Sequence, residues 1–188
     1  MSVAPAWLKE ALLYEDKAVL AFNKPPGLAS QGGRGQTTDL ETLLAHFADQ
    51  KGRRPHLAHR LDAETSGVIV AGRTKAAIAA LNAAFAGREA QKTYLAILCG
   101  GAPEPAAGTI DIPLQKTQSG HQVVMRPTRP DAPGALSALT AYETLAATAT
   151  AALVRLQPQT GRMHQLRAHA AALGRPIAGD KRYGGLFV

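Results

Sequence analysis

A nine-residue segment, His59–Gly67, contains the side-chain types that acid–base or covalent chemistry at a carboxylate requires. It holds one histidine, one arginine, two carboxylates and two hydroxyls, and an apolar run follows it directly. Polar residues at the edge of a strand can present a carboxylate to a cleft. Arg60, two residues from Asp62, favours the ionised form of that carboxylate. The alternative is an ordinary loop in which Asp62 hydrogen-bonds to a turn of the backbone.

A second polar cluster spans Thr160–His169. In a helix, His164 and Arg167 are three residues apart and share a face. Arg162 lies near the expected start of that helix, where backbone N–H groups also attract phosphate. The two histidines of the cluster are five residues apart, which does not fit a pair of metal ligands on one helix.

The hydrophobic pattern predicts the elements that position these clusters. Apolar runs predict strands over 18–23, 68–71, 92–98, 140–145 and 152–157. Helical spacing predicts helices over 38–49, 75–85 and 163–173. We expect Thr74 to cap the second helix, Gly174 to end the third, and Glu15 and Asp16 to form a turn. Because strands and helices alternate without a regular rhythm, the pattern favours an α+β fold over a doubly wound parallel sheet.

The charge of the chain is unevenly distributed. The 188 residues include 21 basic and 14 acidic side chains, and the net charge is +7. Residues 51–100 and 151–188 each have a net charge of +5, so the remaining residues sum to −3. Such blocks are typical of a surface that faces a polyanion, because phosphate contacts supply most nucleic-acid affinity that is independent of sequence. A protein that is merely basic is the alternative, and for His169 and Arg175 we expect a solvated basic face.

Composition excludes several other classes of protein. The single cysteine, Cys99, excludes an intramolecular disulfide framework and a zinc site with several cysteines. No stretch approaches the roughly 20 apolar residues of a membrane span, and the first residues lack the pattern of a signal peptide. We therefore expect a cytoplasmic protein with one main domain and no membrane segment.

Four segments, in family order, resemble the RluA-type pseudouridine synthase family. They are LLYEDKAVLAFNKPPGL, HRLDAETSG, KTYLAI and TGRMHQLRAHAAALGRPIAGDKRYG. The resemblance covers about Leu13 to Gly184 and implies that residues 13–188 form a catalytic domain, with residues 1–12 as an N-terminal extension. It implies a mixed, largely antiparallel sheet with flanking helices and a central RNA-binding cleft. Compared with the family pattern, the chain ends early and no S4-like domain precedes the catalytic part.

The resemblance also implies roles for individual residues. Asp62, the last residue of HRLD, stands at the essential aspartate of the family. Tyr94 stands at the tyrosine expected to stack on the target base, although without the family it would be interpreted as an ordinary core tyrosine. Arg167 stands at the arginine expected to pair with the aspartate. The residues expected to bind the RNA substrate are Arg60, Thr65, Arg162 and His164.

The implied reaction converts uridine in large-subunit ribosomal RNA or transfer RNA into pseudouridine. It breaks the N1–C1′ bond and joins C5 to C1′ without redox change, so we expect no metal and no cofactor, and the family default is a monomer. Asp62 could add to C1′, take the 2′ proton or attack C6, and the sequence does not choose among these routes. Two other functions remain open: an RNA-binding module without catalysis, and a hydrolase that uses Asp62 with Glu64.

Overall fold

The computed structural model of the chain describes residues 4–32, 38–120 and 122–185. The protein divides into two compact units, Met1–Ala90 and Gln91–Val188. Each unit combines antiparallel strands with helices, which confirms the predicted α+β class. The described strands are divided over three sheets, and every strand pair is antiparallel.

The first unit is built on a four-stranded sheet with the order β1-β2-β4-β3. Its strands are β1 (Leu12–Glu15), β2 (Val19–Lys24), β3 (His56–Leu57) and β4 (Gly67–Gly72). Its helices are α1 (Ala6–Glu10), α2 (Leu40–Leu43), which continues as a 3-10 turn over Leu44–Phe47, and α3 (Lys75–Ala86). Alternate residues of a strand point to one side, so Leu20 and Phe22 of β2 are buried beside their β4 partners, Ala71 and Ile69.

The second unit contains a four-stranded sheet, a hairpin and one helix. The sheet has the order β5-β10-β9-β6, and the hairpin pairs β7 with β8. The strands are β5 (Tyr94–Cys99), β6 (Ala107–Asp111), β7 (Leu114–Ser119), β8 (Gln122–Pro127), β9 (Leu139–Ala147) and β10 (Ala151–Pro158). Helix α4 (Gln165–Ala172) contributes Ala170 to the core of the sheet and Ala168 to the core beside the hairpin.

The predicted elements agree with the structure except near the N-terminus. The five predicted strands correspond to β2, β4, β5, β9 and β10, with ends that differ by at most two residues. Strand β1 was not predicted, and the turn expected at Glu15 begins where that strand ends. Leu13, Tyr14 and Glu15 are all exposed, so this edge strand has no alternation of buried and exposed residues to signal it.

Candidate active site

Asp62 lies in the loop that joins β3 to β4, and its neighbours hold this loop in place. The Thr65 N–H donates to the Asp62 carbonyl at 3.1 Å, which closes a turn around the aspartate. On the other side, the buried Ser30 hydroxyl donates to the Leu61 carbonyl at 2.7 Å and accepts from the Leu61 N–H at 3.0 Å. Asp62 and Thr65 are half-buried and Arg60 is exposed. The loop therefore presents a fixed carboxylate, as the sequence predicted.

Lys24, which sequence reasoning passed over, supports the same loop from below. Its side chain is fully buried, because it follows Leu20 and Phe22 on the inward face of β2. The Nζ atom donates to three carbonyls, those of Pro25 at 2.9 Å, Leu28 at 2.7 Å and Ala63 at 3.1 Å. One of these carbonyls belongs to the residue after Asp62, so the ammonium ties the aspartate loop to the end of β2.

The pKa of Lys24 reflects this position. Burial lowers its pKa below the ordinary value, while the carboxylates of Glu64 and Asp62 act in the opposite direction and favour the charged form. A buried ammonium is tolerated only with acceptors around it, and here backbone carbonyls fill that role. The inward position of Lys24 in an alternating strand was the available sequence signal.

In the second unit, Arg167 lies on α4 and forms a two-pronged ion pair with Asp180. Its Nε donates to Oδ2 at 2.6 Å and its Nη2 donates to Oδ1 at 2.8 Å. The two side chains are 13% and 6% exposed. Burial raises the pKa of Asp180, but the hydrogen bond and charge of Arg167, with the N–H groups of Arg182 and Tyr183, outweigh it and leave that pKa below its ordinary value.

Tyr183 connects three parts of this unit. Its hydroxyl accepts from the Met125 N–H of β8 at 2.8 Å and lies 3.0 Å from Nδ1 of His164. The Arg167 guanidinium carbon stands 5.2 Å from the centre of the tyrosine ring, within cation–π range. The sequence placed Asp180 and Tyr183 in the last motif without assigning either a role.

The structure corrects the expectation that His164 and Arg167 share a helical face. His164 is the N-cap of α4 and has a left-handed backbone, with φ of 49°, so it precedes the helix. Its Nε2 lies 3.4 Å from an Arg182 nitrogen, and its ring meets Tyr183 edge to face. The helix begins at Gln165, two residues later than predicted.

Gln165 fixes the start of α4 against β9. The buried amide oxygen accepts from the Thr160 hydroxyl at 2.8 Å and from the Arg162 N–H at 3.0 Å. The amide nitrogen donates to the Thr140 hydroxyl at 2.9 Å. Arg162 is exposed, as a substrate-binding residue should be, and its Nε donates to the Ser137 carbonyl at 2.9 Å.

The expected solvated basic face at His169 and Arg175 was wrong. His169 is fully buried, with Nδ1 2.9 Å from the Thr140 hydroxyl and Nε2 3.0 Å from the Ile112 carbonyl. A carbonyl only accepts, so Nε2 carries the proton. Burial lowers the pKa of this imidazole, although the bond to Ile112 opposes that shift. Arg175 is half-buried, and its Nε donates to a backbone carbonyl, that of Ala102.

Tyr94 is the first residue of β5 and pairs with Leu156 of β10. Its half-buried side chain packs against the core of the sheet in the second unit. The predicted site residues thus fall into two groups and one strand position. Arg60, Asp62 and Thr65 share the loop of the first unit, whereas Arg162, His164 and Arg167 share the start of α4.

Within residues 4–32, 38–120 and 122–185, no three His, Cys, Asp or Glu side chains are grouped so that they could hold a metal ion. Over the same residues, no helix has both the length and the apolar character needed to cross a membrane.

Comparison with known proteins decides the family. The family model described as RNA pseudouridylate synthase matches residues 18–172, which is most of the chain. The chain belongs to this family. The RNA pseudouridylate synthase match includes the Asp62 loop, Tyr94 and the start of α4.

Curated relatives support this membership. The chain is 40% identical over 182 residues to the dual-specificity RNA pseudouridine synthase RluA of Escherichia coli, covering 94% of this chain and 77% of that protein. It is 39% identical over 176 residues to the ribosomal large subunit pseudouridine synthase C of Rickettsia bellii, covering 93% and 57%. It is 37% identical over 196 residues to the mitochondrial pseudouridylate synthase RPUSD4 of Rattus norvegicus, covering 94% and 52%.

A solved structure confirms the fold. The human RNA pseudouridylate synthase domain containing 4 superposes with a TM-score of 0.81 at 34% identity, over 94% of this chain and 70% of that chain. Against the first curated relatives, this family member spans 52% to 61% of their length.

Proposed function

We propose that this chain is the catalytic part of an RNA pseudouridine synthase, an isomerase that converts specific uridines of large-subunit ribosomal RNA or transfer RNA into pseudouridine. The observation that carries the proposal is the fixed carboxylate of Asp62. Its loop is held by the turn to Thr65, the Ser30 hydroxyl and the Lys24 ammonium. Relatives whose names specify ribosomal or dual-specificity RNA targets support the substrate class.

The reaction needs one carboxylate and no external group. The N1–C1′ bond breaks, the uracil turns, and a C5–C1′ bond forms while the hydrogen on C5 leaves to water. Asp62 takes part as the nucleophile at C1′, as the base at the 2′ position or as the nucleophile at C6, and these three routes share one requirement. The carboxylate must be ionised and fixed in orientation when the uridine arrives.

We assign the remaining predicted residues to substrate handling. Tyr94 stacks on the flipped uracil, which is worth about 1–3 kcal/mol per base and offsets part of the few kcal/mol that flipping costs. Arg167 keeps Asp62 ionised, as the family resemblance implies. Bound RNA is contacted by exposed cations, of which Arg60 and Arg162 are two.

The compartment and the oligomeric state stay as the sequence predicts them, cytoplasmic and monomeric. One relative, the pseudouridylate synthase of Rattus norvegicus, is named as mitochondrial, so the family is not confined to one compartment.

The proposal is tested with RNA that carries tritium at uracil C5. Ribosomal-fragment and transfer-RNA transcripts are incubated with wild-type protein, with Asp62→Asn and with Glu64→Gln. We expect the wild type and Glu64→Gln to release tritium into water, and Asp62→Asn to bind RNA without releasing it. Glu64→Gln is the matched control, because it removes a carboxylate two residues away in the same loop.

Each outcome separates the proposal from its rivals. Loss of release in Glu64→Gln would support a pair of carboxylates and the hydrolase function. Binding by every variant with release by none would make the chain an RNA-binding module. Release from one class of transcript only would identify the target RNA.

A further inference from the structure

The first unit has a basic groove at the end of the β3–β4 pair that is remote from Asp62. Strand β3 begins at His56 and β4 ends at Gly72, and these two residues are partners in the antiparallel register. The chain before β3 and the chain after β4 therefore converge at one end of the pair. The loop with Asp62 connects the other end. A strand rises about 3.3 Å per residue, so the two ends of β4 are about 17 Å apart.

The groove encloses about 630 Å³ and is lined by five basic side chains. They are Arg53, Arg54, His56, Arg73 and Lys75. Among the residues described, no acidic side chain lines the groove. The start of α3 also faces it, and the first turn of that helix carries no acidic residue. The groove is thus suited to an anion and unsuited to an apolar ligand.

Carboxylates outside the groove hold two of the arginines in place. Arg53 donates from Nε to Asp49 at 2.7 Å, and Arg73 pairs with Glu15. Arg54 and Lys75 are exposed, and neither has an ion pair or a side-chain hydrogen bond with any residue that the structure describes. Four cations against two carboxylates leave an excess of two positive charges, which Arg54 and Lys75 carry.

We propose that the basic groove binds backbone phosphates of the substrate RNA, about five nucleotides from the uridine that reacts at Asp62. The spacing follows from the 17 Å between the ends of β4 and the rise of about 3.4 Å per nucleotide of a stacked strand. This proposal rests on the proposed function, because the RNA substrate comes from it. The groove fixes the register of the RNA without reading bases, since phosphate contacts position a nucleic acid and base contacts specify it.

The test is the salt dependence of RNA binding by Arg54→Ala/Lys75→Ala. The matched control is Lys9→Ala/Lys17→Ala, which removes two exposed cations of the same unit that do not line the groove. Each lost phosphate contact reduces the slope of log K against log salt by about 0.7 for single-stranded RNA. We therefore expect the slope of the groove variant to fall by about 1.4, while the control retains the wild-type slope.

The same slope gives the expected loss of affinity. If the salt-dependent contribution vanishes near 1 M salt, a slope change of about 1.4 weakens binding about tenfold at 0.2 M salt. This loss should occur with RNA that extends ten nucleotides on both sides of the uridine. It should be absent with RNA that extends two nucleotides. At saturating long RNA, tritium release by the groove variant should match the wild-type rate, because only KM changes.

Three results would overturn the groove. These are an unchanged salt slope, an equal loss in the Lys9→Ala/Lys17→Ala control, or an equal loss with short RNA. A fourth is binding of inorganic pyrophosphate that requires Arg54 and Lys75 while RNA affinity does not, which would make it a site for small anions. Arg54→Lys keeps the charge and should restore most of the slope relative to Arg54→Ala. Absence of tritium release by wild type would contradict the proposed function and leave the binding result standing.

Discussion

Replacing Asp180 with asparagine removes the charge that holds Arg167 and keeps the size of the side chain. The two side chains are 13% and 6% exposed, so water cannot readily replace the lost carboxylate oxygen. Breaking one partner of a buried ion pair costs about 3–5 kcal/mol. In a protein of this length, 1 kcal/mol lowers the melting temperature by about 2–4 °C. We therefore expect Asp180→Asn to melt about 10 °C below the wild type at pH 7, measured by circular dichroism.

The pH dependence of this difference shows whether charge is its cause. Arg167 holds the pKa of Asp180 below its ordinary value despite burial. A lowered carboxyl pKa stabilises the fold above the unfolded-state value of about 3.9, and this contribution is lost as the pH falls through the folded-state pKa. The difference in melting temperature between wild type and Asp180→Asn should be constant above about pH 5 and should shrink below about pH 4.

An exposed ion pair in the same unit supplies the control. Arg129 and Asp131 form a pair whose side chains are 82% and 68% exposed. Exposed pairs contribute little to stability, so Asp131→Asn should melt within about 2 °C of the wild type. Equal melting of Asp180→Asn and Asp131→Asn would refute the reasoning, as would a difference between wild type and Asp180→Asn that stays constant down to pH 3.

Two further predictions concern buried groups that the sequence did not reveal. Because burial lowers the pKa of His169, the unfolded chain binds more protons below about pH 6.5, and wild-type stability should fall as the pH drops from 7.5 towards the folded-state pKa. His169→Gln should weaken this trend in thermal melts, and an identical trend in both proteins would contradict the prediction. Lys24→Ala removes a cation from three carbonyls and should cost about 3 kcal/mol or more in urea denaturation. Lys17→Ala, at an exposed position, should not shift the urea midpoint; a midpoint equally unshifted in Lys24→Ala would show that the ammonium is dispensable.

Local signals predicted much of the fold because they act over a few residues. Thr74 caps α3 as expected, with its hydroxyl accepting from the Ala77 N–H at 3.1 Å. Gly174 ends α4 with a left-handed φ of 67°, which favours glycine. The loop of Asp62 was predicted from its position directly before the apolar run of β4. In each case the signal and its consequence lie within a few positions of the chain.

The groups that sequence reasoning missed depend on partners that are distant in the chain. Lys24 meets the Ala63 carbonyl 39 positions away, and His169 meets the Ile112 carbonyl 57 positions away. Periodicity shows that a position faces inward but does not show whether an acceptor is waiting there. A lysine or histidine at such a position is therefore interpreted as a surface residue until the packing is known.

The two units hold their functional side chains by different chemistry, and this difference separates their responses to pH. The loop of Asp62 depends on the Lys24 ammonium, whose acceptors are neutral carbonyls that do not titrate. Arg167 depends on the Asp180 carboxylate, and its own guanidinium does not deprotonate in proteins. Acid that protonates Asp180 therefore releases Arg167 and leaves the Lys24 contacts intact. Alkali that deprotonates Lys24, whose pKa burial has lowered, weakens the support of the Asp62 loop and leaves the Arg167 pair intact. Losses of activity at the two ends of the pH range consequently report on different units of the protein.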